Sequence, residues 1–146
     1  MLREMLKRHE GLKLVPYRCT KGKLTIGYGW NLDANPLPAD YASCLRVTGA
    51  ITEAMADHLL TISIDMAERQ CKAVFPKFGE FSEARQAALI DFVFNLGIGK
   101  VLIFKKAMAA ILDGDWNRAA DEMQDSLWFS QVGDRGPEIV GMVRNG

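Results

Sequence analysis

The sequence predicts an α+β fold that is mainly helical, with one small sheet near the N-terminus. Apolar residues recur at helical spacing from Thr52 to about Val74, which is typical of one long amphipathic helix. A further helix is expected from Ser82, and its end, residues 87–96, is apolar on nearly every side, as expected of the central helix of a helical lobe. Residues 24–29 instead alternate in the manner of a short strand.

The N-terminal segments are assigned from apolar spacing and breakers. Residues 2–9 are expected to form a short amphipathic helix that Gly11 ends, which leaves Glu10 at a helix terminus. A turn is expected at residues 21–22. Gly27 and Gly29 indicate a bulge or a close approach of backbone. Residues 32–50, with two prolines, are expected to be irregular.

The rest of the chain is predicted to be helical. Thr52 and Ser82 are expected to cap the two helices already described, which Pro76 and Gly97 end. Further helices are expected at 101–112, at 116–126 after an Asp115 cap, and at 137–143 with Pro137 in the first turn. The inward face of the long helix is assigned to Met55, Leu59, Ile62, Met66 and Ala67. The expected division is a small mixed lobe, about 12–58, and a helical lobe formed by 1–11 and 59–146.

Composition restricts the class of protein. The chain has 146 residues, 49% hydrophobic and 25% charged, enough for a core without disulfides or metal. Lysines and arginines number 18, as do aspartates and glutamates, which argues against a general nucleic-acid binder. Seven basic residues nevertheless fall within residues 1–25, forming either a solvated face or one that attracts an anionic polymer.

Localisation is inferred from the cysteines and the N-terminus. Three cysteines without metal-like spacing are expected to be free thiols in a protein made in a reducing compartment. The first residues lack the apolar run of a signal peptide, and no stretch is long enough to span a membrane. We therefore expect cytoplasmic synthesis and, for any target outside the inner membrane, release by another agent.

Glu10 is the carboxylate most suggestive of chemistry, because it lies between an amphipathic helix and a glycine-rich sheet. A glycosidase needs such an acid to protonate the leaving oxygen. Position alone does not distinguish this role from that of a solvated helix end. Other motifs are weaker: residues 27–29 are too short for a phosphate loop, and the two histidines stand alone. Phe92, Phe94 and Phe104 are expected in the core, and Trp128 either there or stacked on a sugar.

Ordered motifs along the chain resemble those of the phage-type lysozymes, glycoside hydrolase family 24. Glu10-Gly11, Tyr17 seven positions after the glutamate, and Thr25-Ile-Gly-x-Gly match the family signature. Downstream, Arg85-Gln86-x-Ala-Leu and Phe94-Asn95-Leu-Gly resemble its central helix. Gly114-Asp-Trp and Ser126-x-Trp-x-x-Gln131-Val-Gly-x-Arg135 resemble its C-terminal helices.

The resemblance implies a two-lobed lysozyme-like fold with a cleft between the lobes and Glu10 as general acid. Thr25 matches the residue beside the attacking water, and Arg135 the arginine that orients the glutamate. The implied substrate-binding or orienting set is Trp30, Asn31, Phe94, Asn95, Gln131 and Arg135. The resemblance also implies that the protein hydrolyses peptidoglycan between N-acetylmuramic acid and N-acetylglucosamine. It is expected to act as a monomer without a metal or cofactor, and to bind neither nucleic acid nor, stably, a membrane.

Two positions depart from the family pattern. Cys19 stands where the best-known members carry an aspartate nine residues after the glutamate. Either its thiolate replaces the carboxylate, with Arg18 and nearby lysines lowering the thiol pKa, or Glu10 and Thr25 act alone and more slowly. Asp91 occupies a place where an amide is common, so it is expected to compete for Arg135. Inverting hydrolysis, lytic transglycosylation and a catalytically silent wall-binding module therefore remain alternatives.

Overall fold

The computed structural model describes residues 1–146 and divides them into two compact units. We call residues 3–65 the hairpin unit, and residues 1–2 with 66–146 the helical unit. The sequence division had assigned residues 1–11 to the helical lobe, whereas nearly all of them belong to the hairpin unit. The predicted α+β class, mainly helical with a small antiparallel sheet, is confirmed.

The hairpin unit begins with α1 (Leu2–Glu10), which buries Met5 and Leu6. A three-stranded antiparallel sheet follows in the order β1-β2-β3: β1 (Lys13–Arg18), β2 (Leu24–Gly27) and β3 (Trp30–Asn31). The expected turn at 21–22 joins β1 to β2, where the Gly22 amide donates to the Cys19 carbonyl at 2.8 Å. Ile26 is fully buried in the middle of the sheet.

The prediction that residues 32–50 are irregular was wrong, because α2 (Ala39–Thr48) lies within them. Pro38 precedes its first turn, and Gly49, with φ of 81°, ends it in the left-handed conformation. No residue of α2 is fully buried, so the helix lacks the apolar stripe from which sequence periodicity is recognised.

The long helix α3 (Glu53–Val74) confirms the predicted length and its cap, since the Thr52 hydroxyl accepts from the Met55 amide at 3.1 Å. Leu59 and Ala67 of the predicted inward face are buried. Met66 is not, being 41% exposed. No helix in the structure combines the length and apolar character needed to cross a membrane.

In the helical unit, a 3₁₀ turn (Phe78–Glu80) precedes α4 (Glu83–Leu96), which buries seven consecutive residues from Ala87 to Val93. Ser82 caps α4 as predicted, accepting from the Arg85 amide. Edge-to-face contacts join Phe92 of α4 to Phe104 and to Trp128, with ring centroids 5.3 and 4.8 Å apart. Trp128 is thus a core residue rather than an exposed sugar platform, and only 3% of it is exposed.

The later helices correct three predicted boundaries. The helix expected at 101–112 is two, α5 (Ile98–Val101) and α6 (Lys105–Leu112). The Asp115 cap is confirmed, and α7 (Trp116–Gln124) follows it. A short α8 (Leu127–Gln131) was not predicted, because five residues are too few to show a period. The last helix, α9 (Arg135–Asn145), starts two residues before the predicted 137 but keeps Pro137 in its first turn.

Candidate active site

Glu10 is the last residue of α1, as the sequence predicts, and is half-buried. The helix ends because Gly11 adopts a left-handed φ of 70°, while its amide donates to the Lys7 carbonyl at 2.9 Å. The chain therefore turns immediately after the carboxylate, which fixes the direction in which Glu10 leaves the helix.

Gly29, between β2 and β3, lies directly against the Glu10 carboxylate. A Cβ placed on Gly29 would come within 2.8 Å of Glu10 Oε2 and 3.1 Å of its Cδ. Gly29 also has a φ of 79°, a conformation that other residues rarely adopt. The close backbone approach predicted from the glycines is confirmed here, and it places the Glu10 carboxylate against the connection between β2 and β3.

Cys19 and Thr25 come together at the β1–β2 turn. The Cys19 amide donates to the Lys23 carbonyl at 3.0 Å, closing the turn. Thr25, on β2, is only 5% exposed. Its hydroxyl lies 2.9 Å from the Lys23 carbonyl and is also hydrogen-bonded to the Cys19 sulfur. Because a hydroxyl has one proton, it donates to only one of these acceptors at a time.

The Cys19 thiol is set up to ionise more easily than an ordinary cysteine. Burial by itself raises its pKa, but hydrogen bonds from the Lys23 and Lys21 amides and from the Thr25 side chain outweigh that cost. These donors stabilise the thiolate, so the net pKa falls below its usual 9.0. Backbone amides lower this pKa, whereas the sequence argument had assigned the effect to neighbouring cationic side chains.

Tyr17 is a site residue that the sequence reasoning did not include. It lies on β1 directly opposite Thr25, and paired residues of an antiparallel ladder share a face of the sheet. Burial raises the Tyr17 pKa, and the negative charges of Glu10 and Cys19 raise it further. Tyr17 therefore lies within electrostatic range of both groups. The sequence feature that could have indicated this role is the position of Tyr17 in the family signature, seven residues after Glu10.

Trp30 and Asn31 of β3 hold the loop that follows the sheet. The Trp30 indole donates from Nε1 to the Asn35 carbonyl at 3.1 Å, and the residue is 6% exposed. Asn31 Oδ1 accepts from the Asp33 and Ala34 amides at 2.9 and 3.1 Å. Both residues therefore stabilise the loop after the sheet through these hydrogen bonds. Their binding of a substrate stays a prediction.

In the helical unit, Arg135 forms a buried ion pair with Asp91. Arg135 Nε donates to Asp91 Oδ1 at 2.8 Å, and the two side chains are 9% and 0% exposed. Asp91 therefore does pair with this arginine, while its competition with Glu10 for Arg135 stays a prediction. The pairing of Arg135 with Glu10 stays a prediction.

The other residues predicted on this unit occupy different surroundings. Asn95, near the end of α4, accepts from Trp128 Nε1 at 2.9 Å through its Oδ1. Phe94 is half-buried, and Gln131 is exposed at the end of α8. The structure thus brings together Glu10, Tyr17, Cys19 and Thr25 within the hairpin unit. Within the helical unit it forms one buried ion pair, Arg135 with Asp91, and one part-buried hydrogen bond, Trp128 with Asn95. The substrate contacts of Phe94 and Gln131 stay predictions.

Comparison with known proteins identifies the family. The family model described as phage lysozyme matches residues 7–145. The chain therefore belongs to the phage lysozyme family, which confirms the resemblance of its motifs. This membership implies a peptidoglycan-lytic enzyme of the glycosidase class.

Individual relatives agree with this assignment. The chain is 32% identical over 158 positions to the pre-baseplate central spike protein Gp5 of Enterobacteria phage T4, and it spans 27% of that protein's length. Probable T4-type lysozymes 1 and 2 of Dictyostelium discoideum are each 26% identical over 161 positions. The alignment covers 99% of this chain and 94% of each Dictyostelium protein.

Proposed function

We propose that the chain hydrolyses the β-1,4 bond between N-acetylmuramic acid and N-acetylglucosamine in peptidoglycan, with Glu10 as the general acid. The observation that carries this proposal is the contact of the Glu10 carboxylate with the Gly29 backbone, in the same unit as Cys19 and with Tyr17 within electrostatic range of both groups. General acid catalysis requires a carboxyl group held in a fixed place over the leaving oxygen. The helix end and the glycine supply that restraint.

In the proposed first half of the reaction, protonated Glu10 donates its proton to the glycosidic oxygen. The bond from that oxygen to C1 of the muramic acid breaks, and N-acetylglucosamine leaves with a free 4-hydroxyl. Positive charge develops at C1 and the ring oxygen as this bond lengthens. The ionised Glu10 that remains is a negative charge near the developing cation.

In the second half, a water attacks C1 while Cys19 accepts its proton. The thiolate form needed for this step is favoured by the lowered thiol pKa. When the sulfur is ionised, the Thr25 hydroxyl donates to it or to the water between them. Solvent then returns the proton from the Cys19 thiol to Glu10, which restores the starting state. Entry of water from the face opposite the leaving group would invert the anomeric configuration.

Lytic transglycosylation is the second candidate, because the position of the usual carboxylate holds a thiol. In that reaction the 6-hydroxyl of the muramic acid attacks C1 in place of water, and the product is a 1,6-anhydromuramic end. One acid/base group suffices for it. Reducing-end analysis of digested sacculi separates the two reactions, since hydrolysis leaves a reducible muramic acid and transglycosylation does not.

The principal test compares wild type with Glu10→Gln on purified sacculi. The amide cannot donate a proton as an acid does, so release of soluble glycan should fall by at least about 10²- to 10³-fold. Glu80→Gln, at an exposed residue of the 3₁₀ turn, is the matched control and should keep full activity. Wild type that binds sacculi but releases no glycan would instead support a silent wall-binding module.

A Cys19 series tests the second group. Cys19→Ala should lose about 10²-fold or more in rate, and Cys19→Asp should recover most of it, because a carboxylate also accepts a proton. Equal rates in wild type and both variants would show that the thiol takes no part in the reaction.

A further inference from the structure

The β-sheet region of the hairpin unit has an unusual charge distribution. Residues 11–32 contain four basic side chains and no acidic one, although the whole chain is electrically neutral. All four are exposed: Lys13, Arg18, Lys21 and Lys23. A one-sign surface of this kind attracts anionic ligands, and its strength depends on how closely the cations are grouped.

Three of the four cations are grouped at the β1–β2 turn, residues 18–23, which we call the hairpin tip. Arg18 ends β1 opposite Leu24, and the Gly22–Cys19 and Cys19–Lys23 backbone hydrogen bonds close the turn. Arg18 Nη1 donates to the Gly22 carbonyl at 2.9 Å, which holds the guanidinium against the tip. Asp33, whose Oδ2 accepts from the Leu24 amide at 2.9 Å, offsets part of this charge.

The hairpin tip is also the segment that carries the Cys19 thiol. The Cys19 amide donates to the Lys23 carbonyl and the Cys19 carbonyl accepts from the Gly22 amide, so the turn that carries these cationic side chains also positions the thiol. In the proposed reaction, that sulfur lies beside C1 of the muramic acid. The lactyl ether of this sugar bears the stem peptide, whose free carboxylates are the nearest anions of the substrate to the bond that breaks.

We propose that the hairpin tip recognises the carboxylates of the stem peptide, so that the enzyme prefers glycan strands with free acids over strands whose peptide carboxylates are amidated. This inference rests on the proposed function and specifies its substrate. It involves the Arg18, Lys21 and Lys23 side chains, whereas the chemical step uses Glu10, Cys19 and Thr25.

A lipid surface is a poorer match for the hairpin tip. Peripheral membrane attachment combines cations with buried apolar side chains, and residues 18–23 include no large apolar residue. Isolated carboxylates on a flexible peptide need no such anchor. Exposed ion pairs of this kind are individually weak, so three together should change KM by about three- to tenfold rather than more.

The experiment uses soluble glycan strands in two forms, with free or with amidated stem-peptide carboxylates. We expect wild type to have a lower KM for the acidic form at low salt, with similar kcat for both. Arg18→Ser/Lys21→Ser/Lys23→Ser should raise KM for the acidic form to the value for the amidated one. About 0.5 M salt should have the same effect on wild type through screening.

Arg69→Ser/Lys77→Ser/Lys100→Ser is the matched control. It removes one arginine and two lysines that are exposed on the helical unit, so it changes net charge equally. The control should keep the preference of wild type. A preference lost equally in both triple variants would overturn the inference, as would wild type that treats the two forms alike.

Two further measurements separate this inference from the proposed function. Binding of both strand forms to Glu10→Gln reports recognition without turnover. Discrimination there supports the hairpin tip even if wild type fails to cleave, and its absence overturns the inference even if wild type cleaves. The last measurement is binding to vesicles of phosphatidylglycerol and phosphatidylcholine. If vesicle binding is lost in the hairpin-tip triple variant and the two strand forms are not discriminated, the tip binds lipid and the inference is overturned.

Discussion

One cysteine of the hairpin unit and the cysteine of the helical unit have thiols in opposite environments. Cys19 in the hairpin unit is half-buried and receives hydrogen bonds from backbone amides, which lower its pKa. Cys71 in the helical unit is fully buried, and burial raises its pKa to about 12. Hydrogen-bond donors, rather than burial alone, therefore decide which thiol can act as a base.

The carboxylates of the two units differ in the same way. Asp91 is completely buried and its charge is matched by Arg135, an arrangement that fixes the helical core. Glu10 is half-buried and lies against the bare backbone of Gly29. Asp91 therefore serves the packing of the helical unit, whereas Glu10, at a helix end, keeps part of its surface exposed to solvent.

The largest expected contrast is in thiol reactivity. In a Cys44→Ser background, Cys19 should be alkylated by iodoacetamide and Cys71 should not. At pH 8 a thiol of pKa about 12 is ionised to about one part in 10⁴, and burial further blocks the reagent. Peptide mass spectrometry over pH 6–10 measures both rates. Because the Cys19 pKa is lowered, its rate should reach half its maximum below pH 9.0.

The control for this measurement is the unfolded chain, in which both thiols should react at the same rate. Thr25→Val removes one hydrogen-bond donor to the Cys19 sulfur and should move the Cys19 rate profile to higher pH. A profile that does not move would show that the backbone amides alone set the pKa.

The next effect is on stability, from the ion pair of the helical core. Asp91→Ala leaves the Arg135 charge buried without its carboxylate, and the free energy of unfolding should fall by about 3–5 kcal/mol. Asp121→Ala breaks the exposed pair with Arg144, whose length of 2.7 Å is similar, and should cost less than about 1 kcal/mol. Urea denaturation measures both. Equal losses would show that the Asp91 pair is no more important than a surface pair.

The helical core was predictable from sequence because apolar runs and caps are local signals. The Ser82 and Asp115 caps and the apolar stretch of α4 all appear where expected. The surface helix α2 was missed because it buries no residue. In the candidate site, the Glu10–Gly29 contact was indicated by the glycines. The placement of Tyr17 opposite Thr25 depends on strand register, which no short window of sequence contains.

A pair of glycines tests how closely the hairpin unit holds Glu10. Gly29 and Gly49, at the end of α2, have similar φ angles, 79° and 81°, but only Gly29 of this pair faces another group, since nothing lies within 4 Å of a Cβ at Gly49. Alanine at either site should cost about 1–2 kcal/mol of stability through backbone strain. Only Gly29→Ala should also reduce the rate on sacculi, by about tenfold or more, because it displaces the carboxylate. Equal activity of the two variants would remove Gly29 from the site.

The smallest expected effect is the pH dependence of the ion pairs that join α1 to α3. Arg3 Nη2 and Lys7 Nζ lie 2.9 and 2.7 Å from the carboxylate oxygens of Asp57. The hydrogen bond from Lys7, together with Arg3, lowers the Asp57 pKa below 3.8. A lowered carboxyl pKa stabilises the folded chain above pH 3.8, and this contribution disappears as pH falls through the folded-state pKa.

The same hydrogen bond raises the Lys7 pKa above 10.5, so its contribution is complete below pH 10.5 and disappears above the raised value. Asp57→Asn should therefore lower Tm slightly at pH 5–9, and the difference from wild type should vanish at both extremes. Asp65→Asn, an exposed aspartate later in α3, is the control and should show no such window. A Tm difference that is constant from pH 2 to pH 11 would show that Asp57 acts through packing rather than through its charge.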